Sequence, residues 1–129
     1  MSINIFIKIT SAVAIVFGIG WLLAPEFMEA TYGLQPNDVS VLTTRFLGLT
    51  HIGWGLAGWL VSESSDWAAL RGLVLGNAVA QLIGVIVSVY YTVNGAFNAM
   101  GWSAVIIYGV FLAGAVYFVQ SGQVTVKTA

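Results

Sequence analysis

Residues 40–61, SVLTTRFLGLTHIGWGLAGWLV, limit what this chain can become more than any other stretch. The run is as long as a helix that crosses a bilayer, about 20 residues, and yet it holds Arg45 and the only histidine of the chain, His51. Thr44, Gly48, His51, Gly55, Gly58 and Ser62 follow one another at offsets of 4, 3, 4, 3 and 4, which keeps them on one narrow face of a helix. That face is small and polar, and the remainder is apolar. In hydrocarbon such a face either packs closely on another helix or lines a cavity.

Composition explains why hydrocarbon is the relevant solvent. With 59% hydrophobic and 7% charged residues, the chain has too little polar surface for an ordinary soluble domain, in which about a quarter of residues are charged. A mean hydropathy of +0.93 points the same way. The 129 residues fit one domain whose length is used almost entirely in spanning segments, which leaves no room for a soluble catalytic unit. Without cysteine there is no disulfide, thiolate nucleophile or cysteine metal site, and a net charge of −1 supplies no basic field for nucleic acid.

In chain order the pattern predicts an all-α integral membrane protein, an antiparallel bundle of four transmembrane helices over residues 3–24, 40–61, 69–93 and 99–120. The first run, with Lys8 ahead of it, is longer than the apolar core of a signal peptide and lacks a small-x-small cleavage site, so it is read as a retained helix. Its least apolar face, Asn4, Lys8, Ser11 and Gly18, is expected to point inward. Pro25 at a helix start, Glu26 and Glu29 in the early turns and Gly33 as a stop predict a short interfacial helix near 25–33. An Asn, Asp or Ser then caps the second span. Lys8, Arg71 and Lys127 would share one side and Arg45 the other, which puts both termini in the cytoplasm. The tail, 121–129, is polar and is expected to fray.

The segment LLAPEFMEATYGL after a first span, followed by Arg45 and Gly48 near the start of a second, resembles small bacterial four-helix membrane proteins classed as domains of unknown function. The resemblance covers the first half of the chain and implies an architecture and a bacterial inner membrane, with no assigned activity and no functional residue to carry over.

The third span has a polar stripe of its own, Asn77, Gln81, Gly84, Ser88 and Tyr91. The short connection from 62 to 68 makes spans two and three an antiparallel hairpin, in which residues at equal depth have a constant index sum. His51 with Gln81, Thr44 with Ser88, Gly48 with Gly84 and Gly55 with Asn77 all share one sum, so the two stripes are expected to face each other. Tyr108 of the fourth span falls at about the depth of His51 and Gln81.

His51, Gln81, Asn77, Tyr108 and Arg45 are therefore the candidate polar core or ligand site. His51 could ligate a haem-type or chlorophyll-type pigment or relay protons; the structural alternative is a neutral ring bonded to Gln81 or Asn77. Arg45, about 8 to 9 Å into its helix and off the stripe, is expected to tether the acidic loop through Glu29 or Asp38, or else to bind a lipid phosphate. Trp54, one turn from His51, could stack on a flat ligand or pack on a neighbouring helix. No span holds Asp or Glu between its ends, and no catalytic constellation is visible. The expected function is thus a non-enzymatic accessory or interaction subunit of a membrane assembly, with a membrane-protein partner or a second copy, in contact with lipid, without metal and without nucleic acid. The alternatives are an intramembrane site for a small apolar or amphipathic ligand and a pigment-binding subunit that uses His51.

Overall fold

A computed structural model describes residues 1–121, and these are all-helical. The elements are α1 (Ile3–Leu23), α2 (Pro25–Thr31), α3 (Asp38–Val61), α4 (Trp67–Val93) and α5 (Gly101–Ser121). Apart from Ser121, the tail expected to fray lies outside the described residues. Local chemistry sets the element ends. Pro25 occupies the first turn of α2. Asn37 caps α3 in a reciprocal box, its Oδ1 accepting from the Ser40 backbone N–H while Ser40 Oγ accepts from the Asn37 N–H. Asp66 caps α4 by accepting from the Ala68 N–H at 2.9 Å. Gly33 and Gly95 take positive φ angles of 83° and 75° where the chain leaves α2 and α4.

Three helices are long and apolar enough to cross a membrane: α1, α4 and the Gly101–Gln120 stretch of α5. At 24 residues α3 is long enough but falls below the others in hydropathy, because Thr43, Thr44, Arg45 and His51 interrupt its apolar run.

The expected face-to-face packing of the second and third spans does not occur. The small face of α3 lies on α1 instead, antiparallel to it and in close backbone contact. A methyl group on Gly18 would lie 2.8 Å from the Gly48 carbonyl oxygen, and one on Gly55 would lie 2.9 Å from the Ser11 carbonyl oxygen. The α1 residues at this seam are Ser11, Ile15, Gly18 and Leu22, the face read as the least apolar of that helix. Gly84, expected opposite Gly48, packs under the ring of Tyr108 on α5, whose Cγ is 2.8 Å from where a Cβ would stand. The helices therefore form two tight pairs, α1 with α3 and α4 with α5, while α3 and α4 touch only sparsely. A short connection brings two helices into succession, but small residues on both sides decide which backbones approach.

The pairs are joined mainly at their ends. At one end Ile3, Phe6 and Ile7 of α1 bury themselves with Leu70 and Val74 of α4 and with Ala115 and Phe118 of α5, and the Phe6 and Phe118 rings sit 5.1 Å apart. There Asn4 Nδ2 donates to the Ser62 carbonyl at 2.7 Å, and Lys8 pairs with Glu63 at 2.6 Å. At the other end Tyr32 stacks on Trp21 and meets Phe97, while Asn98 donates its backbone N–H to the Tyr32 carbonyl and its side-chain amide to that of Thr31. Between these two clamps the pairs separate.

The seam sets a stability expectation. Gly48→Leu should cost about 1 to 3 kcal/mol by overpacking against α1, whereas Gly76→Ala, on a face of α4 with nothing within 4 Å, should stay within about 0.5 kcal/mol. Thermal unfolding of both variants in the same detergent checks the order, and equal losses would refute the seam.

Candidate functional site: a cavity between two helix pairs

The separation leaves partly open spaces in the middle of the bundle that share lining residues. One cavity, of about 110 Å³, lies among Thr10, Phe17, His51, Gln81, Ile107 and Tyr108. A second, of about 230 Å³, shares Thr10, His51, Gln81 and Tyr108 and extends along Ser11, Trp54 and Asn77. A third, of about 460 Å³, runs from Tyr108 and Gly84 past Tyr32 and Trp21 to Glu29, Ser40 and Thr44 near the α2 end. Tyr108 lines all three. The walls are mostly aliphatic and aromatic, with a few polar groups converging at the centre, the usual make-up of a small-molecule site.

Each helix contributes for a local reason. α3 turns His51 toward this space because the neighbouring Gly48 and Gly55 are occupied on α1. α4 places Gln81 one turn before Gly84, and the absence of a side chain at Gly84 lets the Tyr108 ring lie close to its backbone. The large apolar residues Leu82, Ile83 and Ile86 of α4 face outward, as a lipid-exposed surface requires.

His51, Gln81 and Tyr108 thus come together, and Asn77 lies beside them, but their bonding is not the one expected. His51 Nδ1 sits 2.9 Å from the Leu47 carbonyl oxygen of its own helix, not beside Gln81 or Asn77. Asn77 Oδ1 accepts from Trp54 Nε1 at 2.8 Å, which makes Trp54 the polar link between α3 and α4. Gln81 Oε1 is buried and is the one buried side-chain polar atom without a partner among the described residues. An unpaired buried acceptor costs about 1 to 3 kcal/mol.

Arg45 is not part of this site. Its side chain is exposed on α3, and among the described residues it forms no ion pair with Glu29 or Asp38. Glu29 is anchored otherwise. It is only 2% exposed, and its carboxylate accepts from Ser40 Oγ at 2.7 Å and from Thr44 Oγ1 at 2.6 Å, so two hydroxyls of α3 do what the guanidinium was expected to do. From the sequence, Glu29 was expected to act as a partner of Arg45. The signal that could have found it was the spacing of Ser40 and Thr44, one turn apart at the start of α3. Among the described residues no group of three or more His, Cys, Asp and Glu could hold a metal ion.

Comparison of the chain with protein-family models, with curated proteins and with solved structures finds no match. The site therefore has to be interpreted from its own geometry.

The anchoring of α2 gives a direct test. Glu29→Ala removes two charge-assisted hydrogen bonds and should cost about 2 kcal/mol, with faster proteolysis between α2 and the start of α3. Arg45→Ala should leave that segment as protected as before. Protection lost in the Arg45 variant and kept in the Glu29 variant would reverse the assignment.

Proposed function

We infer that the protein binds a small amphipathic molecule inside the membrane, between the α1–α3 pair and the α4–α5 pair. The observation that carries this reading is the space at His51, Gln81 and Tyr108, apolar-walled with a few polar side chains converging on it. Chains that only need to stay folded fill such a space with apolar side chains, because a cavity and an unpaired polar atom both cost stability. On this reading all four long helices span the bilayer. α3 crosses although its hydropathy is lower, since its polar residues are turned toward α1, α2 and the cavity. Both termini lie in the cytoplasm, in a bacterial inner membrane.

The accessory-subunit reading drew on glycine-rich faces, and most of those faces are consumed within the chain. Gly18, Gly48, Gly55 and Gly58 lie in the α1–α3 seam, Gly84 faces Tyr108, and Gly114 faces Phe6. Gly53, Gly72, Gly76 and Gly109 stay open, and a membrane partner or a second copy would have to use those. A pigment held by His51 would need the ring's free nitrogen and a wide flat slot, whereas the two cavities beside His51 measure about 110 and 230 Å³. The ligand reading needs no catalytic step and no metal.

The test is retention of a bound molecule. Protein purified in a mild, exchanged detergent should carry a defined small-molecule mass near one per chain. Ala104→Phe, which fills the cavity from α5, should lose it, while Arg45→Ala keeps it. A wild-type protein that carries nothing beyond randomly varying lipid would overturn the reading.

A further inference from the structure

The third cavity, of about 460 Å³, has a charge in its wall. Glu29 of α2 lines it, is 2% exposed, and accepts from Ser40 Oγ and Thr44 Oγ1. Hydroxyls stabilise a carboxylate without neutralising it, and buried charges are as a rule paired. Among the described residues Glu29 has no cationic partner: the one ion pair, Lys8 with Glu63, lies at the opposite end of the bundle, as does Arg71 near the start of α4. Arg45 is exposed on α3, and at the same end Glu26 and Asp38 add two exposed negative charges. A carboxylate favours a cation from about 4 to 6 Å, so Glu29 acts on the cavity it lines although little of it is exposed. The same space is bordered by Trp21, Tyr32 and Phe97, each only partly buried, with Tyr32 stacked on Trp21 at 6.0 Å and tilted against Phe97 at 5.5 Å between ring centroids. Aromatic faces attract cations as well. Leu47, Val87 and Ala104 continue the wall as an apolar track toward Tyr108.

We propose that the occupant is a single-chain amphiphile with an ammonium head, which lies among Trp21, Tyr32 and Phe97 beside Glu29 while its chain follows Leu47, Val87 and Ala104 toward Tyr108. The proposal rests on the space between the helix pairs being a binding site, and it adds the charge of the ligand. An ammonium head supplies the positive charge that the buried carboxylate lacks and places it against aromatic faces. An anionic head would meet the same carboxylate with like charge, and a phospholipid headgroup would bring its phosphate there. A neutral polar head gains neither attraction.

Octyltrimethylammonium and octyldimethylphosphine oxide share a chain and a compact head and differ in charge. Each is titrated into the full-length protein in dodecyl maltoside, whose head is neutral, and binding is read by calorimetry against protein-free micelles. Wild type should bind the ammonium compound saturably, near one per chain, and about tenfold more tightly than the phosphine oxide. Glu29→Gln, which keeps the side-chain length, should bring the ammonium compound down to the affinity of the phosphine oxide and leave the latter within about twofold. The wild-type preference needs no variant, so it carries the test if Glu29→Gln does not fold. Equal affinities for the two compounds, both lost in Ala104→Phe, would keep the cavity as a binding site and overturn the charge requirement. An ammonium preference that persists in Glu29→Gln would overturn the assignment to Glu29. No saturable binding of either compound overturns the ammonium proposal, and the mass retained on purification then decides the binding-site reading by itself.

Discussion

The structure depends on the approach of two backbones, α1 and α3, at a distance that glycines on both helices permit. Inside a bilayer the hydrophobic effect does not hold helices together, since lipid tails are as apolar as leucine, and association rests on close van der Waals contact and on hydrogen bonds. Gly48 and Gly55 on α3 meet Gly18 and Ser11 on α1, so atoms pack where a larger side chain would hold the helices apart. On α4 and α5 the same role falls to Gly84, which admits the flat face of Tyr108. Each pair spends its small residues internally. What is left to join pair to pair is a set of larger side chains at the two ends, Phe6 with Phe118 on one side and Trp21, Tyr32 and Phe97 on the other. The open middle follows from that division.

How much of this was legible in the sequence differs from element to element. The helices were, and so were the start of α2 at Pro25, the Asn, Asp or Ser cap of α3 and the stop at Gly33, because such signals act locally. The depth of His51, Gln81 and Tyr108 was also legible, since a rise of about 1.5 Å per residue converts index differences into height. The direction of the stripes was not. A small polar face says that a helix wants a close neighbour without saying which one, and the two stripes of α3 and α4 matched each other in spacing as well as α3 matched α1. Loop length favoured the wrong choice. A short connection constrains two helix ends, yet α3 and α4 stay together only near the turn and through Trp54 and Asn77.

The exchange of roles between Arg45 and Glu29 has a similar origin. Charge counting pairs an arginine in a span with the nearest acidic loop, because opposite charges in a low dielectric attract strongly. Geometry overrode it: Arg45 lies on the exposed side of α3, while Ser40 and Thr44 lie on the side that faces α2. Two hydroxyls also hold a carboxylate without the side-chain entropy that a long guanidinium loses on being fixed.

These choices bear on the cavity through energetics. In a soluble protein water fills a polar void and pairs its orphan groups at little cost. Between helices in a bilayer, each polar atom left in the centre has to be satisfied from within the chain, by a trapped water or by a ligand. Thr10 Oγ1, Trp54 Nε1 and Asn77 Oδ1 are satisfied from within. Gln81 Oε1 is not, although a leucine at that position would suit the apolar walls around it. Nor does the Gln81 amide tie α4 to another helix, since Trp54 and Asn77 already do that one turn away. Among the described residues, Gln81 Oε1 is thus the one buried side-chain polar atom whose desolvation is not offset by a hydrogen bond.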